Sequence, residues 1–490
     1  MCLPFGDVMV DRKQSGADDD KAWLSSLACS MTQEHDYYPE VQGHLPAALQ
    51  GSLYRNGPGR FELGGVRKTH LLDGDGMIQA FDFSGGRVRY RNRFVRTPKF
   101  LQEEQAGRFT LPTWTTRAPG GLWPNMGNKI KSQAGVTVVA RPNCLYAFDE
   151  VDLPYGLDPA TLETLGEQPV GAANVRASYK AHTKTDARTG DWLLLGVEFG
   201  RRMTLHLAEH APDGALLRSQ RVAAPRSAYF HDWFATERYV IVSLQPLQPS
   251  LPLFLAGLKS FTDSMRWRPE LGNLLMIIDR SGAQKPLLLP APACFMWHAL
   301  NAYEQGNTIV ADFVGYDTPD HFVGAQAAFR TLLQGRQGLQ SSVGSVRRYV
   351  IDLSQKRVLE EVISAQSHEF PMLRPAAALA RHRYGYFTTA SEGTTVFHDG
   401  LARIDVDSGR RDTFSMGAGV HLGEAVFVAD ETASEEQGWL LSLGLDGTTN
   451  RSFLGVFAAH RLADGPVARI QLQHPTPLSF HGWWRAATAN

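Results

Sequence analysis

The stretch FDFSGGRVRYRNRFV (residues 81–95) alternates apolar with polar or charged side chains on both sides of a Gly-Gly pair. Alternation with a period of two is typical of a half-buried β-strand, and two glycines suit the tight turn of a hairpin. Four further segments place glycine with Asp, Ser or Ala between strand-like runs, and they span residues 186–199, 275–289, 402–414 and 458–472. Many short strands joined by hairpins predict an all-β protein built as a sandwich, a barrel or a propeller.

The length of the chain helps to choose among these architectures. With 490 residues the chain exceeds most single domains, so two or three domains would be the default. A propeller fits best, because radial repetition lets one closed unit use a chain of this length, although the sequence carries no clean WD or kelch-type repeat. We expect a polar N-terminal leader over residues 1–35 and a single propeller domain over residues 36–490. Helices should be few, with a short one at 158–165 that Asp158 caps.

The composition narrows the classes of function. Hydrophobic residues make up 43% and charged residues 20% of the chain, and the formal net charge is −1, so nothing in the charge balance calls for a nucleic-acid partner. Cys2, Cys29, Cys144 and Cys294 are scattered without CxxC spacing, which argues against a disulfide framework or a thiolate metal site. Since the sequence shows neither a signal peptide nor an apolar run of the roughly 20 residues that span a bilayer, we expect a cytoplasmic protein.

Four histidines stand beside aromatic or polar segments near predicted strands: His182, His231, His298 and His481. A histidine taken alone is usually a packed or solvated side chain, and the wide spacing of these four matches neither a zinc finger nor a two-histidine helix motif. In a propeller, however, the inner strands of distant blades converge on one axis, so the four side chains can meet there. Four neutral imidazoles suit a borderline transition metal such as Fe(II), Zn or Cu. An iron ion held in this way keeps open positions for O2.

Motifs in a fixed order run from one end of the chain to the other: LQGSLYRNGPGRFEL (49–63), LLDGDGMIQAFDF (71–83), FVRTPKF (94–100), FHD (230–232), NAYE (301–304), HEFP (368–371), GEAVFV (423–428), GWLLSL (438–443) and FHGWW (480–484). With this ordered set the chain resembles the carotenoid cleavage oxygenases, a family that includes bacterial members cleaving apocarotenoids or stilbenes. The resemblance covers nearly the whole chain. It implies a seven-bladed β-propeller with a cap of loops and short helices over an iron centre.

The resemblance also implies roles for individual residues. His182, His231, His298 and His481 fall on the iron-ligand motifs of the family, which implies one Fe(II) per chain, O2 as co-substrate and no organic coenzyme. A metal-bound imidazole needs an acceptor on its other nitrogen.

Three carboxylates match the residues that supply these acceptors in the family: Glu150 for His231, Glu369 for His298, and Glu424 for His481. Each lies among apolar residues, where an unpaired carboxylate would be costly. Glu150 also lies in an acidic stretch, so the alternative interpretation is that it is an ordinary surface glutamate.

The implied activity is oxidative cleavage of a carbon–carbon double bond in a carotenoid or apocarotenoid, which yields two carbonyl products. The alternatives are a dioxygenase that cleaves stilbenes or phenylpropanoids, and a non-catalytic propeller that serves as a binding platform. Two departures weaken the phenolic alternative: Asp149 stands where stilbene-cleaving relatives carry a phenol-binding lysine, and Phe100 stands where a tyrosine is often found. Either Val136 or Thr137 takes the place of a threonine that crowds the iron in some relatives.

Residues 244–267 combine leucines and phenylalanines with nearby lysine and arginine. Such a segment is either a loop packed over the core or an apolar patch at a tunnel mouth that dips into a membrane surface. The expected partners are therefore an apolar small-molecule substrate and, through residues 244–267, a membrane with which the protein associates peripherally.

Overall fold

The computed structural model describes residues 22–172, 177–391, 397–430 and 437–487. Strands dominate this part of the chain, and they form seven antiparallel sheets of four or five strands together with two two-stranded ribbons. Each large sheet is one blade of a propeller. The predicted all-β, seven-bladed architecture is confirmed.

The first four blades follow one another along the chain. Blade 1 contains Asp36–Tyr37, Gly51–Arg60, Asp75–Ser84, Arg87–Phe94 and His481–Ala486. Blade 2 contains Thr137–Arg141, Cys144–Phe148, Tyr155–Leu157 and Thr164–Glu167. Blade 3 contains Ser178–Tyr179, Lys184–Thr185, Trp192–Glu198, Thr204–His210 and Leu216–Ala223. Blade 4 contains Phe234–Ala235, Tyr239–Leu244, Asn273–Asp279 and Leu287–Ala291.

The remaining blades complete the ring. Blade 5 contains Phe295–Gln305, Thr308–Tyr316, Ser345–Asp352 and Arg357–Ser364. Blade 6 contains His368–Met372, Tyr384–Thr389, Gly400–Asp405 and Arg411–Ser415. Blade 7 contains Glu40–Gly43, Val420–Ala429, Gly438–Asp446, Arg451–Ala458 and Pro466–Gln471. The two ribbons pair Glu62–Leu63 with Val66–Arg67 and Leu247–Pro249 with Met265–Trp267.

Strands from the two ends of the chain close the ring. His481–Ala486 is the innermost strand of blade 1, where it pairs with Gly51–Arg60 so that His481 lies opposite Asn56. Glu40–Gly43 in turn adds an outer strand to blade 7 by pairing with Pro466–Gln471. Because the C-terminal strand is paired as the inner edge of blade 1, His481 is fixed at the centre of the molecule rather than on a frayed end.

Short helices and loops cover one end of the propeller. The helices are α1 (Pro98–Ala106), α2 (Leu251–Leu255), α3 (Phe261–Ser264) and α4 (Ala328–Thr331). The 3₁₀ turns are Ala22–Ala28, Leu71–Asp73, Trp123–Asn125, Pro269–Leu271, Leu332–Gln334, Pro375–Ala377 and Leu462–Asp464. Trp114, Phe254, Phe261 and Phe322 pack together with Trp297, and this aromatic cluster forms the underside of the predicted cap.

The hairpin predicted for residues 81–95 is present, and its two glycines have the expected conformation. Gly85 and Gly86 have φ values of 55° and 72°, the positive angles that a type I′ turn requires at both central positions.

The helix predicted at 158–165 is wrong, since residues 158–163 connect two strands of blade 2 and residues 164–165 begin the second of these strands. Asp158 Oδ1 accepts hydrogen bonds from the backbone N–H of Ala160 at 2.9 Å and of Thr161 at 2.7 Å. The same side-chain contact can cap a helix or close a turn, and the pairing of the flanking strands selects the turn.

Parts of the predicted leader (residues 1–35) and of the apolar segment 244–267 are buried against the rest of the protein. Residues 1–21 lie outside the described residues, but Leu24 and Leu27 of the following 3₁₀ turn are buried against the propeller. In segment 244–267, Phe254 and Phe261 are buried in the aromatic cluster, whereas other apolar side chains are exposed. The domain boundaries at residues 35 and 36 stay a prediction. No helix among the described residues is long and apolar enough to cross a membrane.

Candidate metal centre

The four histidines singled out in the sequence meet at the propeller axis. His182, His231, His298 and His481 lie on or next to the innermost strands of blades 3, 4, 5 and 1. One ring nitrogen of each can be chosen so that all four lie within 4.8 Å of one another. The wide spacing in sequence is therefore explained by the closed ring of blades.

The ring nitrogens that face one another fit a metal ion. The Nε2 atoms of His182 and His231 are 2.9 Å apart, and His298 Nε2 is buried without a hydrogen-bond partner among the described residues. His182 is half-buried and the other three histidines are buried. Four converging imidazoles, one of them with an unpartnered buried nitrogen, could hold a transition-metal ion.

Three glutamates face the outward ring nitrogens. Glu150, Glu369 and Glu424 come from blades 2, 6 and 7, so every blade supplies either one of the histidines or one of the carboxylates. The carboxylate oxygens lie close to the Nδ1 atoms of their histidines: Glu150 at 2.9 Å from His231, Glu369 at 2.5 Å from His298, and Glu424 at 2.8 Å from His481. These are the pairs that the resemblance implies. The role of all seven residues at a metal stays a prediction.

Burial and the carboxylates set the charges of the centre. Burial lowers the pKa of His182 well below its ordinary value and lowers the pKa of His481 to about 4, so both imidazoles are neutral at pH 7. Burial also acts to lower the pKa of His298, but the Glu369 carboxylate raises it above its ordinary value. Burial acts to raise the pKa of Glu369, which His298 nevertheless holds below its ordinary value. Neutral imidazole is the form that binds a metal.

His182 has no glutamate, and its surroundings differ from those of the other three. The nearest carboxylate oxygen is Asp232 Oδ2, 3.9 Å from His182 Nδ1. Asp232 is buried, pairs with Lys184 at 2.8 Å, and accepts a hydrogen bond from the backbone N–H of Ala299 at 2.9 Å.

Three charged residues beside the centre were not predicted from the sequence: Arg55, Lys180 and Asp232. Arg55 and Asp232 belong to the motifs at 49–63 and 230–232, but a motif does not identify the partner of each side chain. Lys180, two residues before His182, is indistinguishable in sequence from a surface lysine, although its side chain is only 7% exposed.

Two cavities reach the histidine cluster from different sides. The cap-side cavity has a volume of about 50 Å³, and it is lined by apolar side chains that include Val136, Trp297 and Phe329. The axial channel, of about 890 Å³, is lined by the inner strands of the blades. Thr137 faces this channel, so Val136 is the residue that lies beside the histidines on the cap side.

The two departures from the phenol-binding pattern have different weights in the structure. Phe100 stacks on Phe94 with 5.2 Å between ring centroids and lines neither cavity, so the absence of a tyrosine there says nothing about the substrate. Asp149 is buried next to Glu150 and accepts hydrogen bonds from the backbone N–H of Gln133 at 2.9 Å and of Glu150 at 2.6 Å. Burial raises the pKa of Asp149 to about 6. Asp149 also lines neither cavity, but it lies beside Glu150, so a carboxyl group stands where the phenol-binding pattern has a cation.

Comparison with known proteins identifies the family. Residues 28–486 match the model of the family described as retinal pigment epithelial membrane protein, to which the carotenoid oxygenases belong. The chain belongs to this carotenoid oxygenase family. The resemblance inferred from the motifs is confirmed.

Several relatives match this carotenoid oxygenase over almost their whole length. The apocarotenoid-15,15'-oxygenase of a Synechocystis strain is 30% identical over 479 residues, which is 94% of this chain and 96% of that protein. The isoeugenol monooxygenase of Pseudomonas putida is 29% identical and covers 91% of this chain and 94% of its own. A solved variant of the Synechocystis apocarotenoid oxygenase has a TM-score of 0.88 at 27% identity and covers 96% of this chain and 99% of its own. A cobalt-substituted form of that oxygenase matches with a TM-score of 0.87.

Proposed function

We propose that this protein is an Fe(II)-dependent, non-haem dioxygenase that cleaves a carbon–carbon double bond of an apocarotenoid to two carbonyl products without an organic coenzyme. The observation that carries the proposal is the cluster of four imidazoles, three of them backed by buried carboxylates, at the floor of an apolar cavity. The family and the names of its carotenoid-cleaving relatives support the reaction class.

The metal would be held by His182, His231, His298 and His481 through the ring nitrogens that converge at the axis. A divalent ion held by four neutral ligands would keep its full charge. Iron, when bound there, supplies the chemistry that activates O2.

The residues of the chain position the reactants around this centre. Glu150, Glu369 and Glu424 hold the proton on the Nδ1 atoms of their histidines, which leaves the Nε2 lone pairs free for the metal. Val136, Trp297 and Phe329 exclude water from the cap-side cavity and would align one double bond beside the metal. The cavity of about 50 Å³ is smaller than any of the substrates considered, so substrate binding requires the cap-side cavity to widen.

The substrate class follows from the polar groups near the cavity. A buried phenolic hydroxyl without a partner costs about 1–3 kcal/mol, and the described residues that line the cap-side cavity include no lysine or arginine to bind a phenolate. Lys180 is nearby in the structure, but its ammonium group is paired with Glu150 at 2.6 Å. These contacts favour an apolar polyene over a hydroxystilbene or a phenylpropanoid.

A membrane surface is proposed as the source of the apolar substrate. Five exposed apolar side chains, which we call the apolar patch, lie on two adjoining segments: Leu122, Trp123, Met126, Leu255 and Leu258. The segments are joined by a hydrogen bond of 2.8 Å from the backbone N–H of Gly127 to the carbonyl oxygen of Leu255. Phe254 and Phe261 lie next to the patch and belong to the aromatic cluster of the cap. An exposed apolar surface beside the cap would let a substrate pass from a lipid phase toward the cavity.

The proposal is tested by turnover of a substrate panel. Iron-loaded protein is incubated in air with apocarotenoids, carotenoids and hydroxystilbenes, and products are identified by mass. We expect kcat/KM to be highest for an apocarotenoid. A 4-hydroxystilbene cleaved at least about tenfold more efficiently than every apocarotenoid would establish the phenolic alternative instead. Protein that takes up no stoichiometric iron and cleaves no member of the panel would be a binding platform.

A further inference from the structure

The three carboxylates beside the histidines differ in their second partners. Glu424 binds a guanidinium group, with its Oε2 atom 2.8 Å from Arg55 Nη1. Glu150 binds an ammonium group, with its Oε1 atom 2.6 Å from Lys180 Nζ. Glu369 accepts a hydrogen bond from the backbone N–H of Phe370, and in the part of the chain that the structure describes it forms no ion pair with lysine or arginine.

Lys180 contacts its carboxylate in a different way from Arg55. Arg55 binds Glu424 Oε2, while His481 lies against the other oxygen of that carboxylate. Lys180 lies against Glu150 Oε1, the same atom that is 2.9 Å from His231 Nδ1. The Lys180 ammonium group and the His231 imidazole therefore share one carboxylate oxygen, Glu150 Oε1.

The surroundings of Lys180 keep its charge from being screened. The side chain is 7% exposed, and its Nζ atom lies 5.1 Å from the ring centroid of Tyr229 and 4.9 Å from that of Phe230. With few water molecules nearby, a charge acts on its neighbours more strongly than it would at the surface.

We propose that Lys180 is a positioning residue that weakens the pull of Glu150 on the His231 proton, and thereby lowers the affinity of the centre for a divalent ion and raises the reduction potential of bound iron. The inference rests on the proposed function, because it assumes a metal at the four histidines. A carboxylate makes its imidazole partner a stronger electron donor, and a cation on the same oxygen reduces this effect. Loss of Lys180 would remove one positive charge from beside Glu150, which favours a more highly charged ion.

The test measures Co²⁺ affinity by competition with a chelator, using the visible absorption of the bound ion. Lys180→Met keeps the length of the side chain and removes its charge, and we expect it to bind Co²⁺ about 10-fold more tightly than the wild-type protein. Lys180→Arg keeps the charge and should bind as the wild type does. Lys99→Met is the matched control, because Lys99 is a buried lysine that pairs with Asp75 and Glu103 instead of a carboxylate of the centre. It should lower thermal stability and leave Co²⁺ affinity unchanged.

A double-mutant cycle and the reduction potential separate this role from a structural one. When Glu150 is replaced by Gln, the gain from Lys180→Met should largely disappear, because the lysine acts through that carboxylate. In the iron-loaded protein, Lys180→Met should lower the Fe(III)/Fe(II) potential by about 59 mV for each tenfold preference gained by the ferric ion.

Each outcome of these measurements decides the inference. Unchanged or weaker Co²⁺ binding in a folded Lys180→Met protein would overturn it, since loss of a merely structural residue loosens the site. If Lys180→Met does not fold, Lys180→Gln is judged by the same criterion. A wild-type protein that binds no Co²⁺ would instead overturn the proposed metal centre.

Discussion

Replacing two leucines of the apolar patch should release the protein from membranes. Leu255 and Leu258 are 46% and 54% exposed, so together they offer about one whole leucine side chain for insertion. Burial of one such side chain contributes about 1.5–3 kcal/mol, which corresponds to roughly 10- to 150-fold in a partition coefficient. The double variant Leu255→Asp/Leu258→Asp should therefore bind lipid vesicles at least about 10-fold more weakly. Because neither side chain is buried, the thermal unfolding temperature should change little.

Sedimentation with sucrose-loaded vesicles measures this partition coefficient directly. The matched control is Leu216→Asp/Leu217→Asp, because these leucines are 42% and 50% exposed on the outer strand of blade 3, away from the cap. The control should bind vesicles as the wild type does. Equal binding by the patch variant and the wild type would refute the reasoning, and equal loss in both double variants would assign the effect to added negative charge.

Three further substitutions test the centre and the cap. His298→Ala should reduce bound iron from about one per chain to nearly none and abolish cleavage, whereas His206→Ala, whose ring pairs with Glu198 on blade 3, should retain both in metal analysis and turnover assays. Glu369→Gln should lower iron affinity or turnover by about 10- to 100-fold while the protein stays folded, and wild-type values would show that this carboxylate does not orient His298. Phe254→Asp should lower the unfolding temperature clearly, because its side chain is only 8% exposed and an unpaired carboxylate would be buried; an unchanged temperature would place this residue on the surface.

The features of the fold that depend on near neighbours in sequence could be predicted, and those that depend on distant partners could not. Gly85 and Gly86 determine a hairpin by themselves, since few other residues adopt positive φ at both positions. The closure of the ring is different. It depends on the pairing of Gly51–Arg60 with His481–Ala486, which no local pattern indicates and which was not predicted.

The apolar patch illustrates the same limit for surfaces. Leucines and phenylalanines in segment 244–267 indicate an apolar region, but hydrophobicity does not tell which side chains face inward. Phe254 packs into the cap while the adjacent Leu255 is exposed. Trp123, the most exposed member of the patch at 78%, comes from a segment that no pattern in the sequence connects with residues 244–267.

In the candidate metal centre, the histidines could be identified from their residue type, but the charged residues that pair with the glutamates could not. Histidines in aromatic surroundings are unusual enough to notice, and the family motifs added the glutamates. Lys180 and Arg55 are common residue types whose importance arises from burial beside Glu150 and Glu424.

As the proposed dioxygenase, the protein should place both atoms of O2 in the products, using the centre at the four histidines and no coenzyme. Its most direct test is the reaction of iron-loaded protein with an apocarotenoid under ¹⁸O2, stopped early enough to limit exchange of the carbonyl oxygens with water. We expect one ¹⁸O atom in each of the two carbonyl products, with no NADH, ascorbate or 2-oxoglutarate added. Label in one product only would indicate a monooxygenase reaction and rule out the proposed dioxygenase.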